Sequence, residues 1–112
     1  MYHVSDERWK KAITPLENSL EKVSKLRGVT YKWNTEDYPD MNFDDKTHLG
    51  FIAQEVEPVI PELVSTDDEG YKSVSYENVT AVLVEAVKEL KTQNDALKAI
   101  VCEDHPEKAI CQ

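Results

Sequence analysis

Cys102, His105 and Cys111 are residue types that could do chemistry together near one end of this 112-residue chain. The two cysteines bracket Glu103-Asp104-His105-Pro106, a polar segment ending in a helix-stopping proline. Three outcomes stand open for them. A small disulfide loop could close the end of a helix, which would imply an oxidising compartment or an extracellular destination. Two free thiols on a frayed tail are the second. A zinc site built from all three residues is the third, but it lacks a fourth ligand and its spacing fits no common zinc motif, so no metal is expected. At the other end, Arg8, Lys10 and Lys11 form the only dense basic cluster. The chain carries 22 acidic against 13 basic residues, a formal charge of −9. So short a basic cluster on so acidic a chain does not suit a phosphate backbone, and nucleic acid is set aside as a partner. No phosphate-binding or metal motif is present, so no cofactor is implied.

The elements that must position these groups follow from periodicity. With 40% hydrophobic and 31% charged residues, the composition is that of a globular domain rather than a disordered one. No apolar run approaches the ~20 residues that cross a bilayer, and membrane contact by this domain is not expected. Either the protein is cytoplasmic, or it is a piece of a longer chain whose targeting signal lies upstream. Trp9, Ile13, Leu16, Leu20 and Val23 recur at steps of three and four, which predicts helix over residues 6–26. The Thr14-Pro15 pair divides it: a turn or two up to Ile13, then a helix capped by Thr14 with Pro15 at its first position and Gly28 at its end.

Val29-Thr30-Tyr31-Lys32-Trp33 alternates like a half-buried strand, residues 34–47 read as a long polar loop, and Leu49 to Ala53 as a second strand. Gln54 to Val64 is expected to be a short irregular helix, interrupted by Pro58 and Pro61. A hairpin then pairs residues 64–66 with 71–74 around the acidic Asp67-Asp68-Glu69-Gly70 loop. Tyr76 to about Val101, free of proline and glycine, is the longest periodic segment. The fold class is therefore α+β: an N-terminal helix, short strands with a β-hairpin, and a long C-terminal helix.

Within that last helix Val79, Leu83, Ala86, Leu90, Gln93, Leu97 and Ile100 alternate steps of four and three. Leucines at 83, 90 and 97 would take the a positions of a heptad repeat, with Val79, Ala86, Gln93 and Ile100 at d. Leucine at a with β-branched residues at d leans away from dimers, and Gln93 would place an amide in the seam. Before Leu90 the face could equally pack on the domain's own strands, because Val82, Val84 and Val87 widen it. After Leu90 a narrow apolar stripe on a polar helix points to a coiled coil.

Ser5-Asp6-Glu7-Arg8-Trp9-Lys10-Lys11-Ala12-Ile13 resembles the S-D-x-R-x-K-x-x-I opening of the intramolecular chaperone domain of endosialidase tailspikes, a family also classed as a serine peptidase. Three further blocks agree in order. His48 to Val56, followed by Ile60 to Val64, is similar to the family's central block. Gly70 to Tyr76 resembles the stretch before its last helix, and Leu83 to Leu90 the helix itself. Two positions depart from the pattern: Trp9 and Ala12 stand where leucine and asparagine are common. The resemblance implies a homotrimer that helps an upstream fibre, tailspike or surface protein to fold and then releases itself by cutting the Val4–Ser5 bond. It makes Ser5 the nucleophile and Lys10 its general base, and leaves His48 as a second candidate base or as a structural residue.

On that reading residues 1–4 are an upstream remnant, 5–76 an α+β chaperone core, 77–101 the coiled-coil helix and 102–112 a cysteine-bracketed tail. The partners implied are two further copies of the chain and the upstream part of its own polypeptide. The location is a virion, or a bacterial surface or secreted setting if the cysteines are joined. Five residues of ideal helix turn through roughly 500°, which leaves Ser5 and Lys10 about 140° apart. Ser5 must then lie ahead of the helix on a segment folded back towards Lys10, or meet a lysine from a neighbouring copy. The plainer alternative has Ser5 or Asp6 as an N-cap and Lys10 facing solvent. Two other functions remain in view, a permanent trimerisation cap without catalysis and a module whose helix docks on another protein.

Overall fold

The structure is a computed structural model that describes residues 2–112. Its long axis is set by α3 (Tyr76–Asp104), a 29-residue helix of roughly 43 Å. Everything else is short. α1 (Ser19–Ser24) is followed by β1 (Val29–Lys32), β2 (Thr47–Gly50), α2 (Ala53–Val56), β3 (Val64–Thr66) and β4 (Lys72–Val74). The radius of gyration is 20.0 Å, against roughly 13 Å for a compact domain of this length.

The strands form two separate antiparallel pairs. β1 and β2 pair from Val29↔Gly50 to Lys32↔Thr47, and β3 and β4 from Val64↔Val74 to Thr66↔Lys72. In the second pair the Asp67 carboxylate builds the turn by accepting the N–H groups of Glu69 and Tyr71, both at 2.9 Å. Gly70 supplies the φ of 89° that the turn demands and that a side chain would resist. The loop between β1 and β2 folds back on its own sheet, with Phe43 stacked on Trp33 at 4.5 Å.

One aliphatic cluster holds these pieces together. Val79 and Val82 of α3 bury against Val56, Ile60 and Leu63, with Val23, Leu26, Phe51, Val59, Val64 and Val74 around the edge. Two polar contacts fix how the rim meets α3. The Ser75 N–H donates to the Leu63 carbonyl at 2.7 Å. The Tyr76 hydroxyl accepts the Phe51 N–H at 3.0 Å.

The α+β class, the hairpin and the long last helix stand as expected, and α3 runs three residues further than Val101. The N-terminal helix does not. Only a 3₁₀ turn, Glu7–Trp9, and the six residues of α1 are helical between residues 6 and 26. Thr14 caps nothing and Pro15 lies in a stretch without regular structure, because Ala12 and Asn18 take positive φ of 55° and 58° and break the run twice. The residue before a proline is itself pushed out of the helical region. Every residue from 2 to 18 is exposed, so the three-four pattern of Trp9, Ile13 and Leu16 has no core to fold against within the subunit. α1 begins at Ser19 because α3 provides its cap: the Leu20 N–H donates to the Glu89 carboxylate at 2.7 Å. It ends at Ser24, four residues before Gly28. The second strand also ends early, at Gly50, where the chain turns its next N–H to Tyr76 instead of to a neighbour.

Gly50 is needed for that contact. A Cβ at this position would lie 2.5 Å from the Tyr76 hydroxyl oxygen. Gly50→Ala should therefore displace Tyr76 and cost about 1–3 kcal/mol in urea unfolding. The same change made on a Tyr76→Phe background should cost measurably less, since the clashing oxygen is gone.

Candidate functional site

Ser5 and Lys10 come together within one chain. Asp6, in extended conformation, caps the 3₁₀ turn by accepting the Arg8 N–H at 2.9 Å. The turn closes through Trp9 N–H to the Asp6 carbonyl at 3.1 Å and Lys10 N–H to the Glu7 carbonyl at 3.0 Å. Lys10 leaves the turn extended, and its Nζ reaches back to donate to Ser5 Oγ at 2.7 Å. The helical geometry that would have separated the two side chains is absent here, because a 3₁₀ turn flanked by extended residues reverses the chain in fewer steps.

The Arg8 guanidinium clamps the turn from outside. Its Nε and Nη2 donate to the two Asp6 carboxylate oxygens at 3.0 and 2.9 Å. That side-chain pair, with the Arg8 backbone N–H second, holds the Asp6 carboxyl below its ordinary value. Ser5 and Lys10 are both exposed, as are the apolar Trp9 and Ile13 that bracket the lysine. Ala12, where asparagine is common in the similar family, sits at φ 55°, a conformation asparagine accepts far more readily than alanine. Upstream of Ser5, His3 Nε2 lies 3.1 Å from the Glu77 carboxylate in the first turn of α3. The His3–Glu77 contact has no signature in the linear pattern.

His48 stands elsewhere. It faces Tyr31 across the β1–β2 ladder, stacks on it at 5.6 Å, and directs Nε2 to the Asp44 carboxylate at 2.8 Å. The hydrogen bond from His48, then that from the Lys46 N–H, pulls the Asp44 carboxyl below its usual range. Among the described residues no hydrogen bond joins His48 to Ser5 or Lys10. The missed partner, Asp44, lies four residues before His48 in an acidic loop whose closure the sequence did not disclose.

The heptad residues divide. Val79 and Ala86 point into the subunit's own core, whereas Leu83, Leu90, Gln93, Leu97 and Ile100 are exposed. At the far end Cys102 and Cys111 form a disulfide with Cα atoms 5.5 Å apart, closing the chain back onto the last turn of α3. The free-thiol and zinc alternatives both fall with that bond. Among the described residues no group of three or more His, Cys, Asp or Glu side chains is placed to hold a metal. No described helix is long and apolar enough to cross a membrane.

A family model described as chaperone of endosialidase matches residues 5–65. The Long tail fiber protein Gp37 of Escherichia phage AR1 is 35% identical over 91 residues, covering 80% of this chain and 8% of that protein. The protein of the same name from Enterobacteria phage K3 is 38% identical over 103 residues, 88% of this chain and 8% of its own length. That of Enterobacteria phage Ox2 is 34% identical over 102 residues, 88% of this chain and 40% of its own. The chain thus spans under a tenth of the first two relatives.

Two consequences of the turn can be measured. A carboxyl held low in the folded state stabilises the turn above the ordinary carboxylate range, and that contribution is lost as pH falls through the lowered value. NMR titration should place Asp6 below ordinary aspartate, and Arg8→Gln should move it back up. Ala12→Asn should relieve the left-handed strain by about 1 kcal/mol, seen as slower hydrogen exchange at the Trp9 and Lys10 amides.

Proposed function

Because the chain belongs to the family of endosialidase chaperones, we propose that it is the chaperone segment of a longer fibre protein, assembling that fibre as a trimer and then releasing itself. The observation that carries the release is the 2.7 Å contact between Lys10 Nζ and Ser5 Oγ, held by the Asp6–Arg8 turn. In the proposed step a neutral Lys10 takes the Oγ proton while Oγ attacks the Val4 carbonyl carbon. The Val4–Ser5 C–N bond breaks, and the proton passes from Lys10 to the departing Ser5 nitrogen. Water then hydrolyses the resulting ester, leaving a Val4 carboxylate and a chain that begins with Ser5.

For Lys10 to take a proton the site must be covered, because removal from water disfavours the charged ammonium. Trp9 and Ile13 on either side of Lys10 offer the apolar surface for such a cover. Self-assembly is the natural source. The chain exposes 9624 Å², whereas a compact monomer of its mass exposes roughly 6,300 Å². The difference, roughly 3,300 Å² per chain, is on the scale of the interfaces that obligate assemblies bury. The solvent-open dyad of the single chain favours one second reading, a trimerisation cap that stays attached to its fibre.

Intact mass of a longer chain carrying the natural upstream segment tests the reading. Wild type should yield a fragment beginning at Ser5. Ser5→Ala should abolish it, and Lys10→Ala should slow its appearance by about 100-fold or more. Uncut protein in all three samples, still trimeric, would leave the permanent cap as the function.

A further inference from the structure

Along α3 the subunit's own core claims one stripe. Val79 and Val82 are 6% exposed and Ala86 4%. In a heptad register with leucines at a, two of the four d residues, Val79 and Ala86, are thus turned away from any partner. A second stripe is left free, and its exposures run from 38% at Val101 through 53% at Leu90 to 62% at Val87.

Leu83, Val87, Leu90, Asn94, Leu97 and Val101 follow one another at steps of four, three, four, three and four. At 100° per residue they fall within an arc of roughly 80°, centred about 65° round the helix from the middle of the buried stripe. Gln93 and Ile100, by contrast, continue the seven-residue line that starts at Val79 and Ala86 in the core.

We propose that copies of this chain meet along Leu83, Val87, Leu90, Asn94, Leu97 and Val101, with the leucines at d and Val87, Asn94 and Val101 at a. The occupant is a second copy, for three reasons. The stripe is a self-complementary heptad on every chain. From Lys91 to Val101 every residue is exposed, so the helix projects beyond its own domain. The excess surface of roughly 3,300 Å² calls for an interface larger than a docked peptide supplies.

Asn94 then faces its counterparts across the axis. An amide there is satisfied only when identical residues lie level, which selects parallel chains in one register over slipped or antiparallel ones. Valine at a with leucine at d leans by itself towards two strands. A three-fold assembly must therefore take its number from the domain bodies, and α3 supplies direction and register. This inference rests on the reading that the chain self-assembles.

The test uses the full chain with Asn94→Cys or Gln93→Cys, oxidised under native conditions and run on a non-reducing gel, beside wild-type sedimentation. Level a positions bring Cα atoms close enough for a disulfide. Asn94→Cys should give a covalent pair that reductant dissolves, while Gln93→Cys should stay uncoupled. Asn94→Ile, which removes the amide without needing oxidation, should raise the melting temperature of the assembly, and Gln93→Ile should leave it near wild type. An assembled wild type whose Gln93→Cys variant couples as well as or better than Asn94→Cys, or whose Asn94→Ile variant melts no higher, overturns this seam alone. A monomeric wild type overturns the self-assembly reading beneath it, and the seam with it.

Discussion

Val79 and Val82 on α3 fill the space between Val56, Ile60 and Leu63, and this small aliphatic contact orders the rest of the chain. With it in place, α2 and the β3–β4 hairpin have a common surface. The Ser75 N–H can close on Leu63, and the first turn of α3 can present Tyr76 to the end of β2. α1 then packs against the next turns of the helix and takes its cap from Glu89. A core of so few residues is thin for a domain of this size, and burial of this kind contributes only about 1.5–3 kcal/mol per aliphatic side chain. Much apolar surface is left outside it, on the arm and on the far half of α3.

The arm that carries Ser5 and Lys10 is organised by short-range chemistry. Its geometry comes from the Asp6 cap, the Arg8 clamp and two backbone hydrogen bonds of the 3₁₀ turn, none of which needs the core. Ser5 and Lys10 are thus brought to hydrogen-bond distance on an otherwise exposed segment. That independence leaves the arm open to solvent, with Trp9 and Ile13 exposed on either side of Lys10. Ala12 adds local backbone strain two residues beyond the lysine, at the start of the irregular stretch that leads to α1.

α3 serves two masters on different faces. The stripe at Val79, Val82 and Ala86 is buried in the subunit, and the stripe through the leucines is exposed. Because the centres of the two lie only about 65° apart on the same helix, the heptad can be read in two registers. Burial, and not spacing, separates them. The Cys102–Cys111 bond folds the tail back onto the end of this helix, so that its last turn does not stand alone.

Much of this was legible in the residues. The hairpin around Asp67–Gly70, the β1 strand and the long proline-free helix follow from local rules that tertiary context only refines. For Ser5 and Lys10 the spacing left two geometries open, and the structure shows the one folded back within a single chain. The N-terminal helix was misread because Trp9, Ile13 and Leu16 carry a helical period, and period alone does not supply a surface to bury. These residues stay exposed because the subunit's core stops at α1. Asp44 beside His48, Glu77 beside His3 and Glu89 at the cap of α1 join residues that only folding brings together. Sequence determined which segments could be strand, turn or helix, because those preferences act over a few residues. Tertiary structure decided which apolar faces were already covered, because burial depends on contacts between residues far apart in the chain.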